Sequence, residues 1–207
     1  MVGERGLKPT SLKPRWRTTQ SDASVRRMSG AYSLVFETST PQASIALAGP
    51  GGLVKQRDFR SDRNHNAMLF EPLGELMQGD EPRKIGLVLV GSGPGSYSGT
   101  RVGIAAAQGV AIASGCPAIA VPSILAVPVA DGGATCLAIG DARRGSYWSA
   151  RLEHSRLEGD PVLCDAQGLE AAVAQAVSEG VAVFSFEEPT RFPLREDLRM
   201  QVIQEFP

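Results

Sequence analysis

A glycine-rich stretch, GSGPGSYSGTRVGIAAAQG, runs over residues 91–109 and contains residue types that often bind phosphate. Backbone N–H groups in such a loop attract anions when a helix follows directly. The P-loop template fails because no Lys follows Gly99, the last glycine of the loop. The dinucleotide template fails because Ser96 and Ser98 stand where its third glycine belongs. Nucleotide binding is therefore not predicted, although residual anion binding remains open.

Side chains that carry hydrolytic or metal chemistry are sparse. The chain has two histidines, His65 and His154, and neither has a second His or a carboxylate at ligand spacing. His65 is interpreted as a helix-start or surface residue. Ser96 and Ser98 lack the elbow sequence of a serine nucleophile and have no nearby base. No catalytic, metal-binding or cofactor-binding residue is assigned.

A second turn that could do chemistry is GDARRG, over residues 140–145. Asp141 and Arg143 could act at a site between two lobes of the protein. An Asp-x-Arg turn that enters a strand is also commonly a local ion pair. Both interpretations remain open for this motif.

The composition is that of an ordinary globular chain of 207 residues, with 43% hydrophobic and 21% charged side chains. No apolar run reaches the roughly 18 residues that span a bilayer, and the first residues lack the apolar core of a secretory signal. Three cysteines, an odd number without a CxxC pair, predict neither disulfides nor zinc. We expect a cytoplasmic protein that does not contact membranes.

The net charge of −1 hides an asymmetry. Residues 1–27 carry seven basic and two acidic side chains, whereas residues 28–207 carry fourteen basic and twenty acidic ones. The first segment has too little apolar surface to offset its ordering entropy. Residues 1–28 are therefore predicted to be a disordered basic tail or the product of a misassigned start at Met1, with Met28 the true one. A transit peptide and an RNA-contacting tail are alternatives.

The elements that must position these motifs follow the order βββαβαβ and predict an α/β fold with a mixed five-stranded sheet. Strands are expected at 32–36, 43–48, 53–59, 85–90 and 118–121, and helices at 64–78 and 99–114. We assign residues 29–131 to this first lobe. Residues 132–207 form a second, reduced lobe, with strands near 136–139 and 181–184, a strand after the GDARRG turn, and a helix near 167–178. Its end, with Leu194, Leu198 and Val202, is predicted to form one amphipathic helix.

The helix that follows the glycine-rich loop has no charged face between Val102 and Ala113. Ser98 or Thr100 is predicted to cap it, with Arg101 in its first turn. A helix that is apolar all round is normally covered on every side. One side packs on the sheet, so a partner is expected on the other. The predicted interface comprises Gly103, Ala106, Ala107 and Val110, together with Leu69, Leu73 and Met77 on the preceding helix. Cover by the second lobe is the alternative.

Four segments together resemble the TsaB (YeaZ) family: FETSTPQASIAL (36–47), HNAMLFEPL (65–73), GSGPGSYSGTRVGIAAAQGVA (91–111) and GDARRGSYWSARL (140–152). The third segment, which includes Gly95, Ser96, Gly99 and Arg101, is the most specific. The resemblance covers most of residues 31–155 and fades after about residue 160. It implies an actin-like, RNase-H-like (ASKHA) fold for the first lobe.

The resemblance also implies a function. TsaB-type proteins are non-catalytic partner subunits in the synthesis of threonylcarbamoyladenosine next to the tRNA anticodon. The implied partners are a catalytic TsaD-type subunit and a TsaE-type ATPase, with tRNA reached through the complex and a homodimer as a further form. ATP and metal ions are expected on those partners and not on this chain.

The chain departs from the family at Glu37, where the family usually has Asp, in its shorter second lobe and in its basic first segment. The extra methylene of Glu37 weakens a nucleotide role, because a displaced carboxylate would misplace metal and phosphate. The alternative function is an enzyme of the same fold: a small-molecule kinase, an acyltransferase or an M22-type peptidase homologue. A homologue that associates only with itself is a third possibility.

Overall fold

The computed structural model describes residues 31–60, 65–78 and 84–207, except for the side chains of residues 65–67 and 132. The predicted tail or misassigned start at residues 1–28 lies outside these described residues. Two β-sheets follow one another along the chain, and we call them, with their helices, the first and second lobes.

The first sheet has five strands in the spatial order β3-β2-β1-β4-β5. Their bounds are β1 Tyr32–Glu37, β2 Gln42–Gly49, β3 Gly52–Arg60, β4 Ile85–Gly91 and β5 Ala118–Val121. The first three strands pair antiparallel, while β4 pairs parallel with both β1 and β5. Alternate residues of β2, Ala43, Ile45 and Leu47, are fully buried, as the period of a strand requires. The predicted mixed sheet and its element order are confirmed.

Two helices cover this sheet: α1, His65–Met77, and α2, Tyr97–Ser114. Helix α1 packs on β2 and β3, and α2 packs on β1, β4 and β5. Leu69 and Leu76 of α1 and Ala107 and Ala111 of α2 belong to the core, together with apolar residues of the strands. Gly115, with φ of 63°, ends α2 in the left-handed conformation that glycine adopts at low cost.

The second sheet has six strands in the order β11-β10-β6-β7-β8, with β9 paired to β7. Their bounds are β6 Cys136–Arg143, β7 Ser146–Glu153, β8 Arg156–Leu157, β9 Val162–Cys164, β10 Ala182–Ser185 and β11 Val202–Gln204. Helix α3, Ala166–Ser178, and the single turn α4, Glu196–Arg199, pack in one core with strand residues of this sheet. A second core lies beside it, where Ile124 and Val127 of the connecting segment pack with Phe184. This segment, which connects β5 to β6, thus packs against the second sheet. The predicted lobe boundary at residue 131 stays a prediction.

The predicted C-terminal amphipathic helix is wrong. Leu194, Leu198 and Val202 repeat at helical spacing, but the helix ends at Arg199 and Val202 enters β11. Strand β11 pairs parallel with β10, whose exposed edge offers hydrogen bonds that the periodicity of the segment does not reveal. The short strands β8 and β9 are further elements that the sequence did not indicate.

Candidate functional site

The glycine-rich loop is packed directly against the turn that connects β1 to β2. The Ser96 N–H donates to the Ser39 carbonyl at 2.6 Å, and the Thr38 hydroxyl donates to the Gly99 carbonyl at 2.8 Å. A Cβ at Gly95 would lie 2.3 Å from the Ser39 carbonyl oxygen. A Cβ at Gly103 would lie 2.2 Å from the Thr38 Oγ1 atom. Gly95 therefore allows two backbone segments to pack closely, and Gly103 leaves room for the Thr38 side chain.

Several N–H groups that a phosphate would need are bonded inside the chain. Ser92 N–H donates to the Val121 carbonyl at 2.8 Å, and Gly93 N–H donates to the Ser123 hydroxyl at 3.0 Å. At the start of α2, the Gly99 and Thr100 N–H groups donate to the hydroxyl and carbonyl of Ser96, at 3.3 and 2.9 Å. These five N–H groups, of Ser92, Gly93, Ser96, Gly99 and Thr100, thus already have acceptors within the chain. The cap of α2 is Ser96, and the predicted caps Ser98 and Thr100 are wrong because the helix begins earlier than expected.

Glu37 ends β1 with only 6% of its surface exposed. Its Oε1 accepts the Ser39 N–H at 2.7 Å, and its carboxylate lies against Gly91, where a Cβ would be 1.8 Å from Oε2. The Ser123 hydroxyl is 2.7 Å from the same Cβ position. Among the described residues no basic group forms an ion pair with Glu37. The Glu37 side chain therefore fills the space beside Gly91, and its hydrogen bond to the Ser39 N–H stabilises the β1–β2 turn.

One stripe of small residues on helix α2 faces the sheet. Gly99, Gly103, Ala107 and Ala111, spaced four apart, are its buried residues, and Ala107 has no exposed surface. The prediction that Gly103 and Ala107 belong to a partner interface is wrong, because this stripe packs inside the chain. Leu69 of α1 is also a core residue, since it is 1% exposed, although it also lines the groove between α1 and α2.

An apolar groove of about 750 Å³ lies between the outer sides of α1 and α2. Of the predicted interface residues, Leu73, Ala106 and Val110 line it, and buried Leu69 forms part of its floor. Its remaining lining residues, which the sequence did not assign to the interface, are Phe70, Arg101, Val102, Ala105, Gly109 and Ala113. Met77 is 41% exposed at the end of α1 but is not a lining residue.

Large apolar side chains stand exposed at this groove and beside it. Phe70 of α1 is 64% exposed, and Ile112 of α2 is 83% exposed. Arg101 supplies the one charged side chain of the lining, and its guanidinium lies 5.2 Å from the ring centre of Tyr97. Exposed apolar surface around a groove is typical of protein association sites. The geometry favours docking of a helix or another apolar surface.

The second predicted motif is held within its own lobe. Asp141 Oδ1 accepts the backbone N–H of Arg143 at 2.6 Å, and Asp141 Oδ2 lies 3.4 Å from the guanidinium of Arg191. The Asp141 N–H donates to Glu187 at 3.2 Å. Burial raises the pKa of the Glu187 carboxyl, while the hydrogen bonds from Asp141 and Ser185 oppose that rise. The ion-pair partner of Asp141 is therefore Arg191, and Arg143 contributes its backbone.

The remaining candidates do not assemble into a site. His65 begins α1, and its side chain is outside those described; His154 is exposed in the turn after β7, with φ of 52°. In the part of the chain that the structure describes, no three His, Cys, Asp or Glu residues are grouped closely enough to hold a metal ion. None of the helices within the described ranges is both long and apolar enough to cross a membrane.

Comparison with known proteins identifies relatives of part of the chain. Residues 54–179 match the family model TsaD, described as tRNA N6-adenosine threonylcarbamoyltransferase. The tRNA threonylcarbamoyladenosine biosynthesis protein TsaB of Escherichia coli (strain K12) is 29% identical over 123 residues, which cover 56% of this chain and 53% of that protein. The protein of the same name from Haemophilus influenzae is 29% identical over 96 residues, covering 45% of this chain and 40% of that protein. The matched region thus spans about half the length of these curated relatives, or less.

Solved structures share the fold. YeaZ from Pseudomonas aeruginosa aligns with a TM-score of 0.62 and 23% identity, covering 80% of this chain and 81% of that chain. A protein with similarity to peptidase YEAZ, also from Pseudomonas aeruginosa, aligns with a TM-score of 0.63 and 22% identity over the same shares of the two chains. At these identities the alignments establish the arrangement of strands and helices.

Proposed function

Because this chain belongs to the family described as TsaD, tRNA N6-adenosine threonylcarbamoyltransferase, and to its TsaB (YeaZ) members, we propose that it is a non-catalytic partner subunit in the synthesis of threonylcarbamoyladenosine. It would support transfer of the threonylcarbamoyl group to the tRNA adenosine next to the anticodon by binding a catalytic TsaD-type subunit. A TsaE-type ATPase is the second proposed partner, and tRNA is reached through the complex.

The observation that carries this proposal is the open apolar groove between α1 and α2. The small side chains of Ala105, Ala106 and Gly109 allow a partner backbone to approach closely, and exposed Phe70 offers apolar area beside them. Removing such area from water contributes roughly 25 cal/mol per Å² to association before the costs of binding. A second copy of the chain could use the same groove, and the proposed homodimer would then compete with the catalytic partner.

The internal pairing of the loop amides supports a role without intrinsic catalysis. Phosphate binding at the glycine-rich loop would have to displace the bonds made by Ser92, Gly93 and Ser96 N–H groups. We therefore assign ATP and metal ions to the partner subunits. A cytoplasmic location follows from the proposed reaction on tRNA.

The proposal is tested by placing one Arg in the groove and one on a comparable helix elsewhere. Ala105 of α2 and Ala171 of α3 are both exposed alanines within helices, and only Ala105 lines the groove. Ala105→Arg should leave the fold intact and weaken binding to the catalytic subunit of the same organism by roughly 100-fold, because a charge would be buried at the interface. Ala171→Arg should bind as the unaltered chain does.

Binding is measured by titration calorimetry of purified subunits, and threonylcarbamoyladenosine is quantified in tRNA from cells that carry each variant as their sole copy. Ala105→Arg cells should lose the modified nucleoside while Ala171→Arg cells retain it. Equal affinity of both variants for the catalytic subunit would refute the groove as its docking site.

A further inference from the structure

The turn that joins β6 to β7 has an unusual backbone for its sequence. Arg143, Arg144 and Gly145 have φ values of 74°, 57° and 75°. Arg143 pairs with Ser146, so Arg144 and Gly145 form the two-residue loop of this hairpin. A loop with positive φ at both positions favours Asn-Gly or Asp-Gly, since short polar side chains tolerate that region best. The chain instead holds two long cationic side chains in that conformation.

The charges of these two arginines are uncompensated. Both side chains are exposed, and within the described ranges no carboxylate forms an ion pair with either. Asp141, on the same hairpin, pairs instead with Arg191. The other arginines of the second lobe that do have ion-pair partners are Arg151, Arg195 and Arg199. The hairpin tip thus presents two free guanidinium groups on a defined turn.

Adjacent guanidinium groups fit phosphate oxygens, to which each can donate two parallel hydrogen bonds. Residues 28–207 carry a net charge of −6, which repels a polyanion from the body of the chain at large. A nucleic-acid contact must therefore be local, and the hairpin tip carries two adjacent arginines that form no ion pair with any described carboxylate.

We propose that Arg143 and Arg144 contact backbone phosphates of the tRNA that the assembled complex modifies. This inference rests on the proposed function, which supplies the RNA. Phosphate contacts position the RNA without reading its sequence. The hairpin tip would help to position the RNA, while the reaction takes place on the catalytic subunit.

The test uses the complex of the full chain with its catalytic partner and an unmodified tRNA transcript. Arg143→Asn and Arg144→Asn are combined, because Asn tolerates positive φ and should preserve the turn. The control is Arg156→Asn: Arg156 is also exposed and has no ion pair within the described residues, but it lies on β8, beside the far end of β7. Eight strand residues separate the two sites by about 24 Å.

Affinity is measured by fluorescence anisotropy between about 50 and 200 mM salt. Loss of each phosphate contact should weaken binding by roughly fivefold to tenfold near 0.1 M salt, and should reduce the slope of log affinity against log salt by about one. The double variant loses two contacts, so its affinity should fall by roughly 25-fold to 100-fold and its salt slope by about two, with a melting temperature at or above that of the unaltered chain. Arg156→Asn should show neither change.

The two proposals fail in different ways. A complex that forms, and in which the double variant keeps its RNA affinity within twofold and its salt slope, overturns the hairpin inference alone. Equal losses in the double variant and in Arg156→Asn overturn it as well, because they indicate a general charge effect. Failure of the unaltered chain to bind the catalytic subunit overturns the proposed function and the hairpin inference together.

Discussion

Ala105 and Ala107 lie two residues apart on α2, yet Ala107 has no exposed surface and Ala105 faces solvent at the groove. The buried side of the helix, with Gly99, Gly103 and Ala107, lies against the sheet and the β1–β2 turn. The outer side, with Ala105 and Gly109, meets open space.

The difference teaches that small residues serve two purposes on this helix. On the inner side a larger residue has no room, because the Thr38 hydroxyl already occupies the space next to Gly103. On the outer side, small side chains such as Ala105 and Gly109 leave a groove that no other described residue of the chain fills. Substitutions of the same type on the two sides should therefore give opposite results.

The largest expected effect comes from a charge on the inner side. Ala107→Arg places an unpaired cation in the core, which costs several kcal/mol and should unfold the chain. Ala105→Arg should change the free energy of unfolding by about 0.5 kcal/mol or less. Circular dichroism and thermal melting of the two variants decide the comparison. A folded Ala107→Arg chain with an unaltered melting temperature would contradict the assignment of Ala107 to the buried side of α2.

The next effect compares two glycines of α2. Gly103→Ala forces Thr38 or the helix to move and should cost about 1–3 kcal/mol. Gly109 has no atom within 4 Å of its Cβ position, so Gly109→Ala should stabilise the isolated chain by about 0.5–1 kcal/mol through helix propensity. Urea titrations measure both values. Effects of the same sign would show that the two sides do not differ in packing.

A smaller effect is expected where α2 begins. Ser96→Ala removes the side-chain acceptor for the Gly99 N–H and should cost about 1 kcal/mol of unfolding free energy. Ser98→Ala is the comparison: its exposed hydroxyl lies 3.3 Å from the Ser96 hydroxyl but does not accept the Gly99 N–H, so its loss should cost less than the loss of Ser96. Equal losses in the two variants would contradict the assignment of Ser96 as the cap.

The smallest expected effect is a pH dependence of the unfolding free energy that arises in the second lobe and does not involve the α2 surface. Burial raises the pKa of Glu187 above its ordinary value of 4.5, so the folded chain binds a proton that the unfolded chain has released. The unfolding free energy should therefore fall as pH rises from about 4.5 through the folded pKa. Glu187→Gln should be slightly more stable than the unaltered chain at pH 7, and the difference should vanish below pH 4.

Melting temperatures of the two proteins across pH 4–8 measure this change. Because Glu187 is not part of the groove, the affinity of the Gln variant for the catalytic subunit should remain unchanged. A difference in melting temperature that grows toward acid pH would contradict the direction assigned to the Glu187 pKa.

The sequence predicted the first sheet well because its strands alternate or run apolar and are bounded by turns rich in Gly, Pro, Ser and Thr. It also predicted a small-residue stripe of Gly103, Ala106 and Val110 with Ala107 at its border, since residues three and four apart share one side of a helix, whereas the buried stripe contains Gly103 and Ala107. It did not indicate which side faces the sheet, because no charged residue between 102 and 113 marks the solvent side. The bond from Thr38 to Gly99, which fixes that orientation, joins residues 61 positions apart.

At residues 194–204 the sequence pattern is clear, but it fits both a helix and a strand. Leu198 and Val202 have helical spacing, and their local pattern is satisfied equally by burial on a strand. The open edge of β10 decides for a strand, and that edge exists only after the second sheet has formed. Likewise, Phe70 is recognised as a candidate interface residue only from the structure, in which α1 lies beside α2.

The most direct measurement is the rate of thiol alkylation at single cysteines introduced as Ala105→Cys and, as the control, Ala171→Cys. Peptide mass spectrometry reads each site separately from native Cys116, Cys136 and Cys164. A saturating amount of the catalytic TsaD-type subunit should slow alkylation at position 105 by at least about tenfold and leave position 171 unchanged, since a docked partner shields only the groove. An unchanged rate at position 105 in a complex that has formed would contradict the groove as the docking surface.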